Sequence, residues 1–209
     1  MKKMSTLFKV NYFGKGSKGI ITKDVRLENT WVYTAPNVVA TRKFDGMAVM
    51  VLGGKLYKRY DAKPTKEALK RHIEGTPWDL TDFKNVPLDA IPCQEPDLVT
   101  GHYPHWILVS KEDPSNKYLL ATYEKETLED GTYEFCGEKV GSNPEKVVGH
   151  KFFKHGSEIL YLSDYSFDTL QQYLCNPSND IEGIVFHNLD TGQMCKLRKT
   201  DFGVTRNAN

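Results

Sequence analysis

The feature that most constrains the fold of this chain is the spacing of its apolar residues. They recur as short runs: TLFKVNYF, GIITKDV, NVVATRKF, MAVMVLGGKLYKRY, YLLATYE, GTYEFCG, IEGIVFHN and QMCKLRK. Several alternate apolar with polar positions or concentrate Val, Ile, Tyr and Phe, the pattern of short strands with one buried face. Gly53-Gly54, inside the fourth run, reads as the turn of a hairpin. The expected class is therefore α+β, built on antiparallel sheets. Two segments have helical spacing instead: PTKEALKRHIEG, opening at Pro64 and ending near Gly75, and SFDTLQQYL, from Ser166 through Leu174. The stretch 76–114, rich in Pro, Asp and aromatic residues, is expected to be an irregular insertion.

No repeat, low-complexity tract or Ser/Gly linker divides the 209 residues, so a single domain over 1–209 is expected. Hydrophobic residues make up 39% and charged residues 26%, which excludes a disordered chain, and no apolar stretch reaches the ~18 residues of a membrane span. No membrane partner is expected. The formal charge of +1 conceals basic clusters at Lys15/Lys18, Lys58/Arg59, Lys66/Lys70/Arg71 and Lys196/Arg198/Lys199, so global charge neither argues for nucleic acid nor against it. The four cysteines show no Cys-x-x-Cys pair, and the opening MKKMSTLFKV has no apolar leader core, so reduced thiols in a cytoplasm are expected.

Three local motifs point elsewhere and carry less weight. Gly14-Lys-Gly16-Ser-Lys-Gly19 matches a dinucleotide fingerprint but precedes the strand-like IITKDV, not a helix that would face a pyrophosphate. Adding Lys43 and Asp201-Phe202-Gly203 gives the order of a protein kinase, yet no H-R-D catalytic loop is present. His102 and His105 have no second His/Cys pair at zinc-site spacing.

The chemistry concentrates on Lys43-Phe44-Asp45-Gly46, between the apolar runs NVVAT and MAVMVL, where a sheet would fix the lysine. A lysine bonds to a nucleotide α-phosphorus only as the free amine, which calls for desolvation or cationic neighbours; Lys58, Arg59 and Lys196 are the candidates. Its companions follow in order: Arg59 in LYKRYDAKP, Glu134 in GTYEFCGEKVGSNP, Glu182 in IEGIVF, and Lys196 and Arg198 in MCKLRK. Carboxylates can hold a ribose hydroxyl and a hydrated magnesium ion, and basic side chains can meet the α-phosphate as pyrophosphate leaves.

This series resembles motifs I, III, IV and V of the covalent nucleotidyltransferases, the superfamily of ATP-dependent DNA ligases, RNA ligases and capping enzymes. The phrases KPTKEALKR, EPDLVTGHYPHW, TYEFCGEKVGSNPE and HKFFKHG are similar to the 5′-to-3′ RNA ligase family of vertebrates and phages, over about Val39 to Gly203. The resemblance implies an ATP-grasp-like nucleotidyltransferase domain with Lys43 as the adenylated nucleophile. It further implies Arg59 as the basic residue after motif I, Glu134 as the ribose-side glutamate, Glu182 as the metal-linked glutamate, and Lys196 as the first motif V lysine. The second motif V position is Arg198, with Lys199 competing, and the adenine platform is Phe152 or Phe153. Arg42 stands where many RNA ligases have Glu.

The implied cofactors are ATP and Mg2+, with Mn2+ an alternative, and the implied partner is RNA with 5′-phosphate and 3′-hydroxyl ends, with no obligate protein partner evident. Only 200–209 follow Lys199, so no C-terminal OB-fold is expected, which favours the RNA ligase branch. A minimal DNA ligase, a capping-type guanylyltransferase and a non-catalytic RNA-binding module are the alternatives. The expected location is the cytoplasm, that of the host cell if the chain is phage-encoded.

Overall fold

A computed structural model describes residues 1–12 and 19–206. In chain order the strands and helices are β1 (Phe8–Asn11), β2 (Ile20–Val25), α1 (Trp31–Thr34), β3 (Val38–Lys43), β4 (Met47–Leu52), β5 (Lys55–Asp61), α2 (Lys66–Arg71), β6 (Ile91–Pro92), β7 (Pro104–Leu108), α3 (Lys117–Tyr123), β8 (Gly131–Gly137), β9 (His150–Lys154), α4 (Phe167–Cys175), β10 (Gly183–Asn188) and β11 (Met194–Arg198). The protein is mixed α/β with antiparallel sheets, and among the described residues no helix is long and apolar enough to cross a membrane.

The chain divides into two compact units without a linker: Met1–Lys3, Met47–Phe135 and Val148–Phe152 form the first, and Met4–Gly46, Cys136–Val147 and Phe153–Asn209 the second. The first is built on a six-stranded sheet in the order β6-β7-β5-β4-β8-β9. Gly53 (φ 57°) and Gly54 (φ 70°) close the β4–β5 hairpin, because a two-residue turn matched to strand twist needs positive φ at both central positions. One face of the sheet carries Val49, Val51, Leu56, Tyr133 and Phe135, all buried.

The stretch 76–114, expected to be irregular, supplies β6 and β7, and β7 pairs along the whole outer edge of β5 from Tyr57↔Leu108 to Asp61↔Pro104. YLLATYE, expected as a strand, is helical in α3: Asp113 accepts a hydrogen bond from Ser115 N at 3.0 Å, opens a turn at Pro114–Asn116, and the helix continues from it with Leu119 buried. The helix expected over 64–75 is only α2, capped by Thr65 accepting from Ala68 N. It stops because His72 turns to extended backbone and stacks on Trp78, ring centroids 3.6 Å apart.

The second unit holds a three-stranded antiparallel sheet, β11-β10-β3, and the separate β1–β2 pair. Residues 5–7 extend the sheet beyond β11, with Leu7 N donating to Lys196 O at 2.8 Å and Lys196 N to Ser5 O at 2.9 Å. On the other edge Leu160 N donates to Ala40 O at 2.8 Å. Ala40, Ile184, Phe186, Cys195 and Leu197 form the buried face, and α4, expected from Ser166 through Leu174 and capped by Ser166, adds Leu170 and Leu174 to the same core.

Candidate active site

Strand register in the second unit decides which side chains meet. Gly183 on β10 lies opposite both Lys43 on β3 and Arg198 on β11, and Val185, two residues on, lies opposite Thr41 and Lys196. Alternate residues of a strand point to opposite faces. Since Ile184, Leu197 and Phe186 fill the core, Lys43, Lys196 and Arg198 share the face turned away from it. Gly183 is required between them: a Cβ there would lie 2.3 Å from Leu197 O and 2.8 Å from Arg198 Cα, both backbone atoms. No side chain stands between Lys43 and Arg198 in that row.

Glu182 immediately precedes this glycine, and its carboxylate accepts a hydrogen bond from the Lys43 ammonium, both side chains being about one-fifth exposed. Burial, followed by the charges of Arg198 and Lys43, lowers the Lys196 pKa to about 8, while Asp201 and Glu182 oppose the shift without cancelling it. Arg198 is held by Asp201, which accepts from Arg198 Nη2 at 2.8 Å and from its backbone N at 2.7 Å. Asp201-Phe202-Gly203 is thus a turn that orients Arg198, not a kinase signature, and Gly203 closes it with φ 75°. Lys199 is buried and donates to Asn179 O at 2.7 Å, so Arg198 rather than Lys199 shares the face of Lys43. Further along that face, Thr41 Oγ1 is 2.9 Å from His187 Nε2, whose pKa burial and His155 lower.

The residues flanking Lys43 are fixed by Glu145 and Glu158, which the sequence did not single out, and by Phe153. Arg42 donates to Glu145 at 2.5 Å and to Glu158 at 3.3 Å, and lies over the Phe44 ring at 4.8 Å. Phe44 stacks on Phe153 with centroids 4.4 Å apart. Of the two adenine-platform candidates, Phe152 is packed into the first unit's core against Phe135, and Phe153 belongs to the second unit with Lys43.

Arg59 and Glu134 lie in the first unit, on β5 and β8. Val49 on β4 opposes Lys58 on one side and Tyr133 on the other, so the next residue along each strand puts Arg59 and Glu134 on one face of the sheet, flanking Ala48. Glu134 is buried, and Arg59 Nε is a buried donor without an acceptor among the described residues. Lys58, expected to lend charge to the nucleophile, points to the opposite face and donates to Asp113 at 2.9 Å and Asn116 at 2.7 Å.

Among the described residues no group of three or more His, Cys, Asp and Glu is placed to hold a metal ion. His102 pairs with Asp61, while His105 Nδ1 lies 2.8 Å from Tyr103 O, so the two rings serve separate partners. Gly14 and Gly16 of the glycine-rich motif lie outside the described residues, as do Lys15 and Lys18. Comparison with known proteins finds no matching family model and no matching curated protein.

Proposed function

We propose that this chain is an ATP-dependent RNA ligase with the antiparallel-sheet fold of the covalent nucleotidyltransferases, working through a lysyl-AMP intermediate on Lys43. The observation that carries the reading is the convergence of Lys43, Lys196 and Arg198 on the sheet face opposite Ile184, Phe186 and Leu197, from segments more than 150 residues apart, with Glu182 on the Lys43 ammonium. A basic strip kept for solvation alone has no need of a half-buried lysine at a pKa near 8 or of a carboxylate dedicated to its neighbour. The RNA assignment rests on the sequence phrases around these residues.

In the first step the Lys43 nitrogen, freed of its extra proton, bonds to the ATP α-phosphorus as the bond to the pyrophosphate oxygen breaks. Lys196 and Arg198 meet the charge on the α-phosphate and on the departing pyrophosphate. In the second step an RNA 5′-phosphate oxygen displaces Lys43 from phosphorus, giving an adenylated end. In the third an RNA 3′-hydroxyl attacks that end, AMP leaves, and the hydroxyl proton passes to solvent. The resemblance makes Arg59 the basic residue after motif I and Glu134 the ribose-side glutamate, and Phe153, in the same unit as Lys43, is the candidate platform for adenine.

Mg2+, or Mn2+ in its place, would neutralise phosphate charge at these steps. Glu182 is the carboxylate that would hold it, and one carboxylate suits an ion that keeps most of its water and binds largely through substrate phosphates.

The test is transfer of label from α-labelled ATP or GTP, with magnesium, to the protein on a denaturing gel. The reading expects an ATP-derived, alkali-stable, acid-labile adduct that both Lys43→Ala and Lys43→Arg abolish, since a guanidinium stays protonated. A GTP adduct would point to a capping-type enzyme, and no adduct to a non-catalytic RNA-binding protein.

A further inference from the structure

Glu145 lies in the GSNPEK loop, about a hundred residues from Lys43, and its side chain is 1% exposed. A carboxylate buried that deeply persists only where donors replace water. Among the described residues it has three: Oε1 accepts from Asp45 N at 3.0 Å and from Arg206 Nη1 at 2.8 Å, and Oε2 accepts from Arg42 Nη2 at 2.5 Å. Asp45 follows Lys43 by two residues and Arg42 precedes it by one. One carboxylate therefore grips the chain on both sides of the lysine while the Lys43 side chain rises from the opposite face of β3.

The loop that delivers Glu145 is itself held in a costly conformation. Asn143 (φ 53°) and Lys146 (φ 54°) both occupy the left-handed region, which residues with a Cβ enter only where surroundings over-determine them. Here they do: Asn143 Nδ2 donates to Val147 O at 3.0 Å and its Oδ1 accepts from Val147 N at 3.1 Å, closing the loop on itself. Lys146 is pinned to Asp180 at 3.0 Å, and Asp180 also accepts from Arg206 Nε at 3.2 Å, which locks the far side of Glu145.

We infer that Glu145 is a positioning residue for Lys43: its carboxylate fixes the Arg42 side chain at the end of β3 and the Asp45 backbone just beyond it, so that the Lys43 amine is presented at one height above the sheet. This rests on the proposed role of Lys43 as nucleophile. The charge is needed as well as the shape, because the carboxylate balances two guanidinium groups while it accepts the Asp45 N–H; the amide of Gln has one acceptor oxygen and no charge.

Glu145→Gln is compared with wild type in two measurements: adduct formation against ATP concentration, and hydrogen exchange of the Asp45 amide. Expected are an adenylation rate at saturating ATP at least tenfold lower, a KM for ATP within about twofold of wild type, and Asp45 exchange at least tenfold faster. A purely structural role would instead lower the amount of active protein without speeding Asp45 exchange in the folded fraction, and that result overturns the inference. So does a wild-type adenylation rate in the variant. If Glu145→Gln melts below the assay temperature, Glu145→Asp keeps the charge with a shorter reach, and the same readouts decide. A wild-type protein that forms no adduct removes the ligase reading and the role of Glu145 with it, whereas adduct in wild type and an indifferent Glu145→Gln removes the positioning role alone.

Discussion

Lys43 and Glu182, 139 residues apart in sequence, are hydrogen-bonded as an ion pair on one sheet face. Under the proposed function the pair gives Glu182 two tasks: it would hold the lysine in place before nucleotide arrives, and it would be the carboxylate available to a divalent cation. Glu182→Ala is therefore expected to lose most activity in both adenylation and sealing, with little change in melting temperature because the pair is partly solvated. A variant that joins RNA as fast as wild type across a magnesium titration would remove Glu182 from the mechanism.

Gly183 separates Lys43 from Arg198, and its Cα is hemmed in by the β11 backbone. Gly183→Ala must push β11 away from β10, at a cost of about 1–3 kcal/mol for overpacking, and must shift Arg198 relative to Lys43. A lower urea midpoint together with loss of adduct is expected. An unchanged midpoint would mean that β11 yields freely and that the close approach is unimportant.

Lys196 offers a test that separates function from stability. Its native pKa of about 8 is below its ordinary 10.5, so the unfolded chain holds that proton more tightly than the folded one. The charged side chain therefore costs stability below pH 8, and the cost fades between pH 8 and 10.5 as the native amine deprotonates. Lys196→Met is expected to be more stable than wild type at pH 7 by on the order of 2 kcal/mol, with the gain shrinking toward pH 10.5, while adduct formation is lost. Denaturant melts at pH 7 and pH 10 measure it, and a gain that is equal at both would sever it from the titration of Lys196.

Given pre-adenylated RNA, the wild-type protein is expected to seal it to a 3′-hydroxyl acceptor without ATP and to prefer ribose over deoxyribose at the two acceptor-terminal nucleotides, where 2′-hydroxyls can be read. Under the proposed function the exposed Lys66 and Lys70 of α2 would supply sequence-independent phosphate contacts, so the rate at limiting RNA should fall as salt rises. Arg71 contributes less to them, being paired with Asp82. Equal or faster sealing of an all-DNA substrate would replace the RNA ligase by a minimal DNA ligase.

How much of this was legible in the sequence depended on range. The strands around Lys43, Glu182 and Lys196 were readable because alternation is local, and the Gly53-Gly54 turn because only glycine takes two positive φ values cheaply. The helix α3 was missed because the Leu, Ala and Tyr residues of YLLATYE suit a strand as well as a short helix, and the capped turn at Pro114–Asn116 decides the matter. β7 was hidden by the prolines and aromatics around it and is fixed by pairing with β5. Glu145 and Asp201 stood out only inside the phrase GSNPE and the tripeptide Asp201-Phe202-Gly203, neither of which pointed to the contacts they make, and Arg206 carries no local signal. Their importance arises from what lies opposite them in space, and only the phrase GSNPE hinted that the Glu145 loop mattered.

The three-stranded sheet of the second unit has a consequence for the order in which a newborn chain acquires its chemistry. Lys43 is made early, but the strand beside it, β10, and the strand that brings Lys196 and Arg198, β11, come some 140 residues later, and residues 5–7 find their place only when β11 exists to receive them. Pairings this distant in sequence are slow to close and form late. On the ribosome the lysine therefore waits without its basic partners until β11 has emerged, so under the proposed function an unfinished polypeptide would have no assembled face on which to be charged with nucleotide.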